Sequence, residues 1–282
     1  MKNIVFYGGG NISQAVIEGL IFSGFSPKNI FFVDRNIRNQ NKLKKLKIRS
    51  FKSNQKDKID LFILAVKPKD AIEAYKEIVN IWNSTRNRFK VISFVAGIKL
   101  KKYKEAELEV CPFGDDIELL RAMPNTSSRY GLGITAIYNF SFYKTNLKKV
   151  ITLLKRIGIV ITISSDSYPS IDNESKIDTF TGIIGSGPAY FFHLLQSYEK
   201  KLLTLSNGDK KIVNSIMSNL MKGVGMSIEK DTNLDSLIEA VASKKGTTEA
   251  GLKSFKLNKL SNRFEKGLNA AIKRSKEISN EF

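Results

Sequence analysis

Two residue types that carry much of enzyme chemistry are nearly missing from this 282-residue chain, which has one cysteine, Cys111, and one histidine, His193. A single cysteine excludes an intramolecular disulfide, and a single imidazole excludes a metal centre built on several histidines, so no metal site is expected. A serine or cysteine nucleophile would have to recruit His193. That residue stands in the apolar helical run Tyr190-Phe191-Phe192-His193-Leu194-Leu195, with no carboxylate at helical spacing before Glu199. It is read as a packing or surface residue. No apolar run reaches the length of a membrane span, and Met1-Lys2-Asn3 leads straight into a strand pattern without signal-peptide character. The expectation is a cytoplasmic protein with no membrane partner. There is no internal repeat, and no low-complexity tract beyond a lysine bias.

Acidic residues are also scarce: 27 against 46 Lys and Arg, a formal charge of +19. Such a surplus raises nucleic-acid binding. The cations are spread over nearly every helical segment, however. Where they cluster, at Lys42, Lys44, Lys45, Lys47 and at Lys99, Lys101, Lys102, Lys104, no repeated platform of stacking aromatics lies between them. A lysine-rich surface that attracts an anionic cofactor and a small carboxylate accounts for the charge, and no nucleic-acid partner is expected. Contents of 42% hydrophobic and 26% charged residues are those of a globular protein, long enough for one large or two ordinary domains.

What the chain does contain is concentrated at its start. Lys2-Asn3-Ile4-Val5-Phe6-Tyr7 is an apolar run that halts at Gly8-Gly9-Gly10; it continues as a segment whose apolar positions 12, 15, 16 and 20 recur at helical spacing. A strand, a glycine turn and a helix start together offer close backbone approach, unpaired amides and a positive dipole to a pyrophosphate. The third small position of G-x-G-x-x-G is held by Ser13. A second strand pattern, 29–33, ends at Asp34, the spacing expected for a ribose contact. Arg35 and Arg38 follow; an arginine there accepts a 2′-phosphate, whereas the aspartate favours the free hydroxyl. The balance is taken toward NADP, with NAD as the alternative.

Asp60-Leu61-Phe62-Ile63-Leu64-Ala65-Val66 is continuously apolar and ends at Lys67-Pro68; Lys90-Val91-Ile92-Ser93-Phe94-Val95 repeats the pattern and ends at Ala96-Gly97. With helices predicted near 40–47 and 70–82, the alternation specifies an α/β, doubly wound parallel sheet. Ligands in such sheets sit beyond the carboxyl ends of the strands, so Gly8 to Gly10, Asp34, Ala65 to Pro68 and Val95 to Gly97 should converge on one ligand. Further strands are predicted at 117–123, 133–138 and 157–163, with a helix at about 142–156. Beyond Ser164 apolar residues such as Ile212, Ile216, Leu220 and Val224 fall at helical spacing. The organisation expected is a dinucleotide-binding domain over 1–164 and an all-helical domain over 165–282.

Two stretches of the helical half stand out. Gly185-Ser186-Gly187-Pro188-Ala189-Tyr190 puts small residues where a helix or ligand comes close, or marks a helix kink at Pro188. In Ser243-Lys244-Lys245-Gly246-Thr247-Thr248-Glu249-Ala250-Gly251-Leu252 a helix ends near Ala242 and the next is expected to be capped by Thr247 or Thr248. That start presents amides and two hydroxyls to an anion; an ordinary turn between helices has the same letters.

These stretches, with Phe6-Tyr7-Gly8-Gly9-Gly10-Asn11, Leu64-Ala65-Val66-Lys67-Pro68, Ala96-Gly97 and Arg121-Ala122-Met123-Pro124-Asn125-Thr126, occur in the order found in the pyrroline-5-carboxylate reductase family, which the chain resembles over essentially its whole length. The resemblance implies a Rossmann domain followed by an all-α dimerisation domain that pairs with a second subunit, in a homo-oligomer that is a dimer or a ring of dimers. It implies cofactor contacts at Tyr7, Gly8, Gly9, Gly10, Asn11, Ile12, Asp34, Asn36, Asn54, Ala65, Val66, Lys67, Pro68, Val95, Ala96 and Gly97, to which Arg35 is added from its place after Asp34. Substrate contacts are expected at Glu174, Gly246, Thr247 and Thr248, with the Thr248 hydroxyl acting near the ring nitrogen of an imino acid. The implied reaction is hydride transfer from NAD(P)H to the C=N carbon of 1-pyrroline-5-carboxylate, giving L-proline. Lys244-Lys245 stand where the family reads Pro-Gly, and Ser127 where it tends to have Pro. These departures keep two rivals in view: a reductase of another cyclic imine, and a non-catalytic nucleotide-binding oligomer.

Overall fold

The computed structural model describes residues 1–85, 89–112, 117–138, 147–163, 171–231 and 233–281. Its strands are β1 (Ile4–Tyr7), β2 (Ile30–Val33), β3 (Arg49–Ser50), β4 (Leu61–Leu64), β5 (Lys90–Ser93), β6 (Leu119–Met123), β7 (Gly133–Tyr138) and β8 (Gly158–Ile163). They form one sheet in the order β3-β2-β1-β4-β5-β6-β7-β8. Pairing is parallel from β3 through β6, antiparallel between β6 and β7, and parallel again between β7 and β8. The first six strands thus have the 3-2-1-4-5-6 order of a doubly wound Rossmann sheet, whose strand order reverses between β1 and β4.

The helices of the sheet region are α1 (Asn11–Phe22), α2 (Ile37–Lys45), α3 (Ala71–Asn83), α4 (Leu100–Val110), α5 (Leu147–Leu154) and α6 (Ile171–Phe180). Residues 142–146, where the sequence places the start of α5, lie outside the described residues. Strands β1, β2 and β4 are apolar at every position because both faces are covered. Ile4 and Phe6 of β1 pack with Val16, Ile17 and Leu20 of α1, whereas Val5 and Tyr7 face Tyr75, Ile78 and Trp82 of α3. Two elements have no strong sequence signature. Strand β3 is two exposed residues paired to β2, and α4 hides under the lysine cluster that begins at Lys99, burying Leu100, Tyr103 and Ala106.

By compactness the chain divides into Met1–Pro188 together with Ala271–Phe282, and Ala189–Ala270. Among the described residues the last strand, β8, ends at Ile163, and the boundary expected near 164 falls in residues 164–170, which lie outside them. After them α6 packs in the first unit because it supplies Glu174 and Asp178 to the buried Arg121 of β6. The chain's last turns return to the same unit, where Ser279 donates its hydroxyl to Asp178 Oδ2 at 3.1 Å. A π-turn over Thr181–Gly185 follows α6; a methyl on Gly182 would lie 2.7 Å from the Ile272 backbone nitrogen, so glycine is what lets the returning segment come this close. Pro188 is the second residue of α7 (Gly187–Leu205) and makes no mid-helix kink there; its missing N–H is among those a helix start leaves unpaired anyway.

The second unit holds the rest of α7, then α8 (Lys210–Lys230), α9 (Leu234–Val241), α10 (Thr247–Leu257) and the first part of α11 (Leu260–Glu281). Asp209 and Asn233 cap α8 and α9 by accepting backbone N–H bonds at their starts. Val213 is buried, while Phe192, Ile216, Leu220, Val224 and Phe255 stay exposed, an apolar content this unit does not cover by itself. No helix among the described residues is long and apolar enough to cross a membrane.

Candidate dinucleotide site

Strand register aligns four carboxyl ends. Tyr7 pairs with Val33 on one side and Leu64 on the other, and Leu64 with Ser93, so Gly8, Asp34, Ala65 and Phe94 follow side by side. The backbone ladder carries one step further through Gly8 N–H to Val33 O, Ala65 N–H to Tyr7 O and Phe94 N–H to Leu64 O, each 2.8 Å. Gly8 has φ +105°, and a methyl on it would lie 2.5 Å from the Ala65 carbonyl oxygen. It is glycine because the chain turns here with a positive φ and passes directly against the Ala65 backbone. A methyl on Gly9 would lie 2.6 Å from Leu43 Cδ1 and 2.9 Å from Asp34 Oδ2.

Gly10 is different. It is the N-cap of α1, with φ −68° and ψ −174°, values open to any residue, and among the described residues nothing beyond its immediate chain surroundings lies within 4 Å of where its Cβ would be. No side chain caps α1, and its first turn has no acidic residue, so its leading amides face outward without an internal acceptor. Ser13, the departure from the small third position, is buried and turns its hydroxyl back to Gly8 O at 2.5 Å; Gln14 Nε2 donates to Gly9 O at 2.7 Å. Both brace the turn from behind. A braced turn, uncapped amides and open space before Gly10 fit a bound pyrophosphate.

Asp34 sits where the sequence places it, directly after β2. Its Oδ2 accepts from Gly9 N–H at 2.6 Å and Asn39 Nδ2 at 3.2 Å, and its Oδ1 from Asn36 N–H at 2.5 Å. Asn36 caps α2, accepting from Arg38 N–H at 2.9 Å and Asn39 N–H at 3.3 Å. The exposed Arg35 pairs with Glu77 of α3. Asn54 is exposed on the short helical turn Ser53–Lys58, where it lines a depression of about 590 Å³ with Lys44, Arg49, Lys52 and Lys58. After β4, Val66 is half-buried and Lys67 exposed, and Pro68 opens a short turn that leads into α3. Val95 and Gly97 are buried, with Ala96 half-buried between them; Val95 N–H donates to Ser93 Oγ at 3.2 Å. The Ser93 hydroxyl meets that of Tyr103 at 2.8 Å, and burial pushes the Tyr103 phenol far above its usual pKa, keeping it protonated. Gly97 has φ +78° and faces Ile278 of the returning segment.

Glu174 is buried, and its Oε1 accepts from Leu100 N–H at 2.8 Å and Arg121 Nη1 at 3.0 Å, while Arg121 Nη2 reaches Asp178 Oδ1 at 2.8 Å. Glu174 therefore ties α6 to β6 and to the start of α4. The sequence reading missed Arg121 and Asp178 as a unit. Two signals were present: a cation inside an apolar strand run, and two carboxylates four residues apart on one helix face.

In the second unit Gly246, and neither threonine, is the N-cap of α10, with no side-chain cap; Thr247 and Thr248 are its first two residues. The expected threonine cap is thereby corrected. The loop before the helix folds against Gly246, whose added methyl would meet Ser243, and it is Glu249 that reaches back, accepting from Lys245 N–H. Lys245 has φ +57°, a left-handed conformation in which a side chain costs about 1 kcal/mol. Lys245→Gly is therefore expected to raise the stability of the folded chain by about 0.5–1 kcal/mol in urea unfolding, whereas Lys244→Gly gives no such gain. His193 is exposed on α7, its Nδ1 3.1 Å from Gln196 Oε1, consistent with a surface residue. Among the described residues no group of three or more His, Cys, Asp or Glu is placed to hold a metal.

A Rossmann sheet parallel through its first six strands, a glycine turn at its switch point and a carboxylate ending the second strand define the class, a dinucleotide-binding protein. Residues 3–97 match a family model described as NADP oxidoreductase coenzyme F420-dependent, and residues 174–278 one described as pyrroline-5-carboxylate reductase dimerisation. Pyrroline-5-carboxylate reductase 1 of Bacillus subtilis (strain 168) is 32% identical over 294 residues, covering 100% of this chain and 91% of that protein. The pyrroline-5-carboxylate reductase of Staphylococcus aureus (strain COL) is 31% identical, covering 98% of each. The chain belongs to the pyrroline-5-carboxylate reductase family. Among solved structures, the enzyme of Coxiella burnetii superposes with a TM-score of 0.77 at 26% identity, covering 99% of this chain and 98% of that one. A Plasmodium falciparum pyrroline carboxylate reductase with NADP bound gives 0.80 at 22% identity with 98% of each covered, a likeness in fold.

Proposed function

We propose that this protein is an NAD(P)H-dependent reductase of a C=N bond that converts 1-pyrroline-5-carboxylate to L-proline, the last step of proline biosynthesis. The observation that supports this most is the glycine turn at the switch point, braced by Ser13 and Gln14 and open in front of Gly10. Tyr7 to Ile12, Asp34 to Asn36, Asn54, Ala65 to Pro68 and Val95 to Gly97 would hold the dinucleotide, NADP preferred and NAD the alternative. A reduced nicotinamide bound there would supply a hydride for the imine carbon, with a proton completing the amine. The chain's own part is position and charge. The amides of Gly246 to Thr248, at a helix start without a side-chain cap, hold the substrate carboxylate, and the Thr248 hydroxyl stands at the ring nitrogen. Glu174 acts in this reading through Leu100 and Arg121. The proposed organisation is a dinucleotide domain over 1–164 and a dimerisation and substrate domain over 165–282; the exposed apolar residues of α7 and α8 support a homo-oligomer, a dimer or a ring of dimers.

Following NADPH and NADH oxidation with 1-pyrroline-5-carboxylate, with proline identified as product, tests the activity. Lys244 and Lys245 beside the substrate amides favour a second reading, another cyclic imino acid as substrate, and a panel of imines distinguishes the two. Cofactor binding with no oxidation in the presence of any imine of the panel rejects both. Thr248→Ala is expected to lower kcat/KM at least tenfold while NADPH affinity changes less than twofold; unchanged turnover removes Thr248 from the mechanism.

A further inference from the structure

Asp34 and Arg35 are neighbours at the end of β2, yet they are engaged differently. Both oxygens of Asp34 accept bonds from within the protein, from the amides of Gly9 and Asn36 and the side chain of Asn39. With these three bonds accepted, the carboxylate keeps about one of its roughly four acceptor sites for a ribose hydroxyl, and the discrimination of a 2′-phosphate falls to its neighbour. The Arg35 side chain is 87% exposed, and its Nη2 is 3.0 Å from Glu77 Oε1. Glu77 projects from α3, and its other oxygen accepts the hydroxyl of Tyr7, the last residue of β1. An anion anchored to the central strand therefore stands against the cation that follows the ribose-reading position.

We propose that Glu77 is a specificity-determining residue that competes with the 2′-phosphate of NADP(H) for the Arg35 guanidinium, so that preference between NADPH and NADH is set by the Arg35–Glu77 pair. This rests on reading the carboxyl edge of the sheet as the dinucleotide site. A 2′-phosphate carries nearly two negative charges and presents a planar guanidinium with acceptors matched to its fork. To form that contact it must displace Glu77. The displaced carboxylate, still bonded to Tyr7, remains near the phosphate and repels it. NADH has no 2′-phosphate and meets neither effect. An exposed pair of this kind shifts binding by about three- to tenfold, not by orders of magnitude.

The test is equilibrium titration of the full-length protein with NADPH, NADH, 2′,5′-ADP and 5′-AMP, comparing the parent chain with Glu77→Gln, Arg35→Leu and the double variant. Glutamine still accepts from Tyr7 and removes only the charge. Glu77→Gln should tighten NADPH and 2′,5′-ADP about three- to tenfold and leave NADH and 5′-AMP within twofold. Arg35→Leu should weaken the two ligands that carry a 2′-phosphate, NADPH and 2′,5′-ADP, and erase the gain in the double variant. Weaker NADPH binding in Glu77→Gln, or equal shifts for NADPH and NADH, overturns the proposal while the dinucleotide site stands. A parent chain that binds neither NADPH nor NADH overturns both.

Discussion

Replacing Arg121 by methionine is expected to lower the unfolding free energy by about 3–5 kcal/mol, measured by urea or thermal unfolding. Arg121 is wholly buried in β6, and its guanidinium faces Glu174 at 3.0 Å and Asp178 at 2.8 Å, themselves 9% and 2% exposed in their side chains. Methionine keeps much of the volume and leaves two carboxylates in the interior without a counter-charge. The cost comes from those uncompensated anions more than from the lost attraction, since a buried pair nearly offsets its own desolvation. A sharper result follows: combining Arg121→Met with Glu174→Gln and Asp178→Asn should recover a large part of the loss. If the triple variant is no more stable than the single one, the network is not what holds α6 in place.

The second large effect separates the roles of two glycines in the same turn, Gly8 and Gly10. Gly8→Val should destabilise the chain by at least about 2 kcal/mol and abolish dinucleotide binding, because a side chain at φ +105° is strained and its Cβ meets the Ala65 carbonyl. Gly10→Val should leave the melting temperature nearly unchanged, since its backbone angles suit any residue and its Cβ enters open space. Its NADPH affinity should nonetheless fall at least tenfold, because the side chain occupies the approach to the leading amides of α1. An unchanged NADPH affinity in Gly10→Val would mean that the space before Gly10 is not a ligand site.

Much of the first unit was legible because covered parallel strands are written as unbroken apolar runs, as in Leu61 to Leu64, and because glycine at a sharp strand-to-helix turn has few other uses. Strand β3 was not legible: two exposed residues held by pairing to β2 carry no periodicity. Helix α4 was masked by lysines on its outer face, although Leu100, Tyr103 and Ala106 follow helical spacing beneath them. At α10 the threonines suggested a cap, but the backbone places the cap one residue earlier, at Gly246, a distinction side-chain preference alone does not resolve. The roles of Arg121 with Asp178 and of Arg35 with Glu77 depend on contacts 57 and 42 residues apart along the chain, beyond the reach of any local pattern.

The return of Ala271–Phe282 to the first unit bears on how the protein is made. During synthesis the sheet emerges from the ribosome long before Ile278, which packs on Gly97, and Ser279, which bonds to Asp178 across 101 residues. The nucleotide-binding half thus leaves the translation machinery with one flank bare and reaches its final packing only once the segment carrying Ile278 and Ser279 has also emerged.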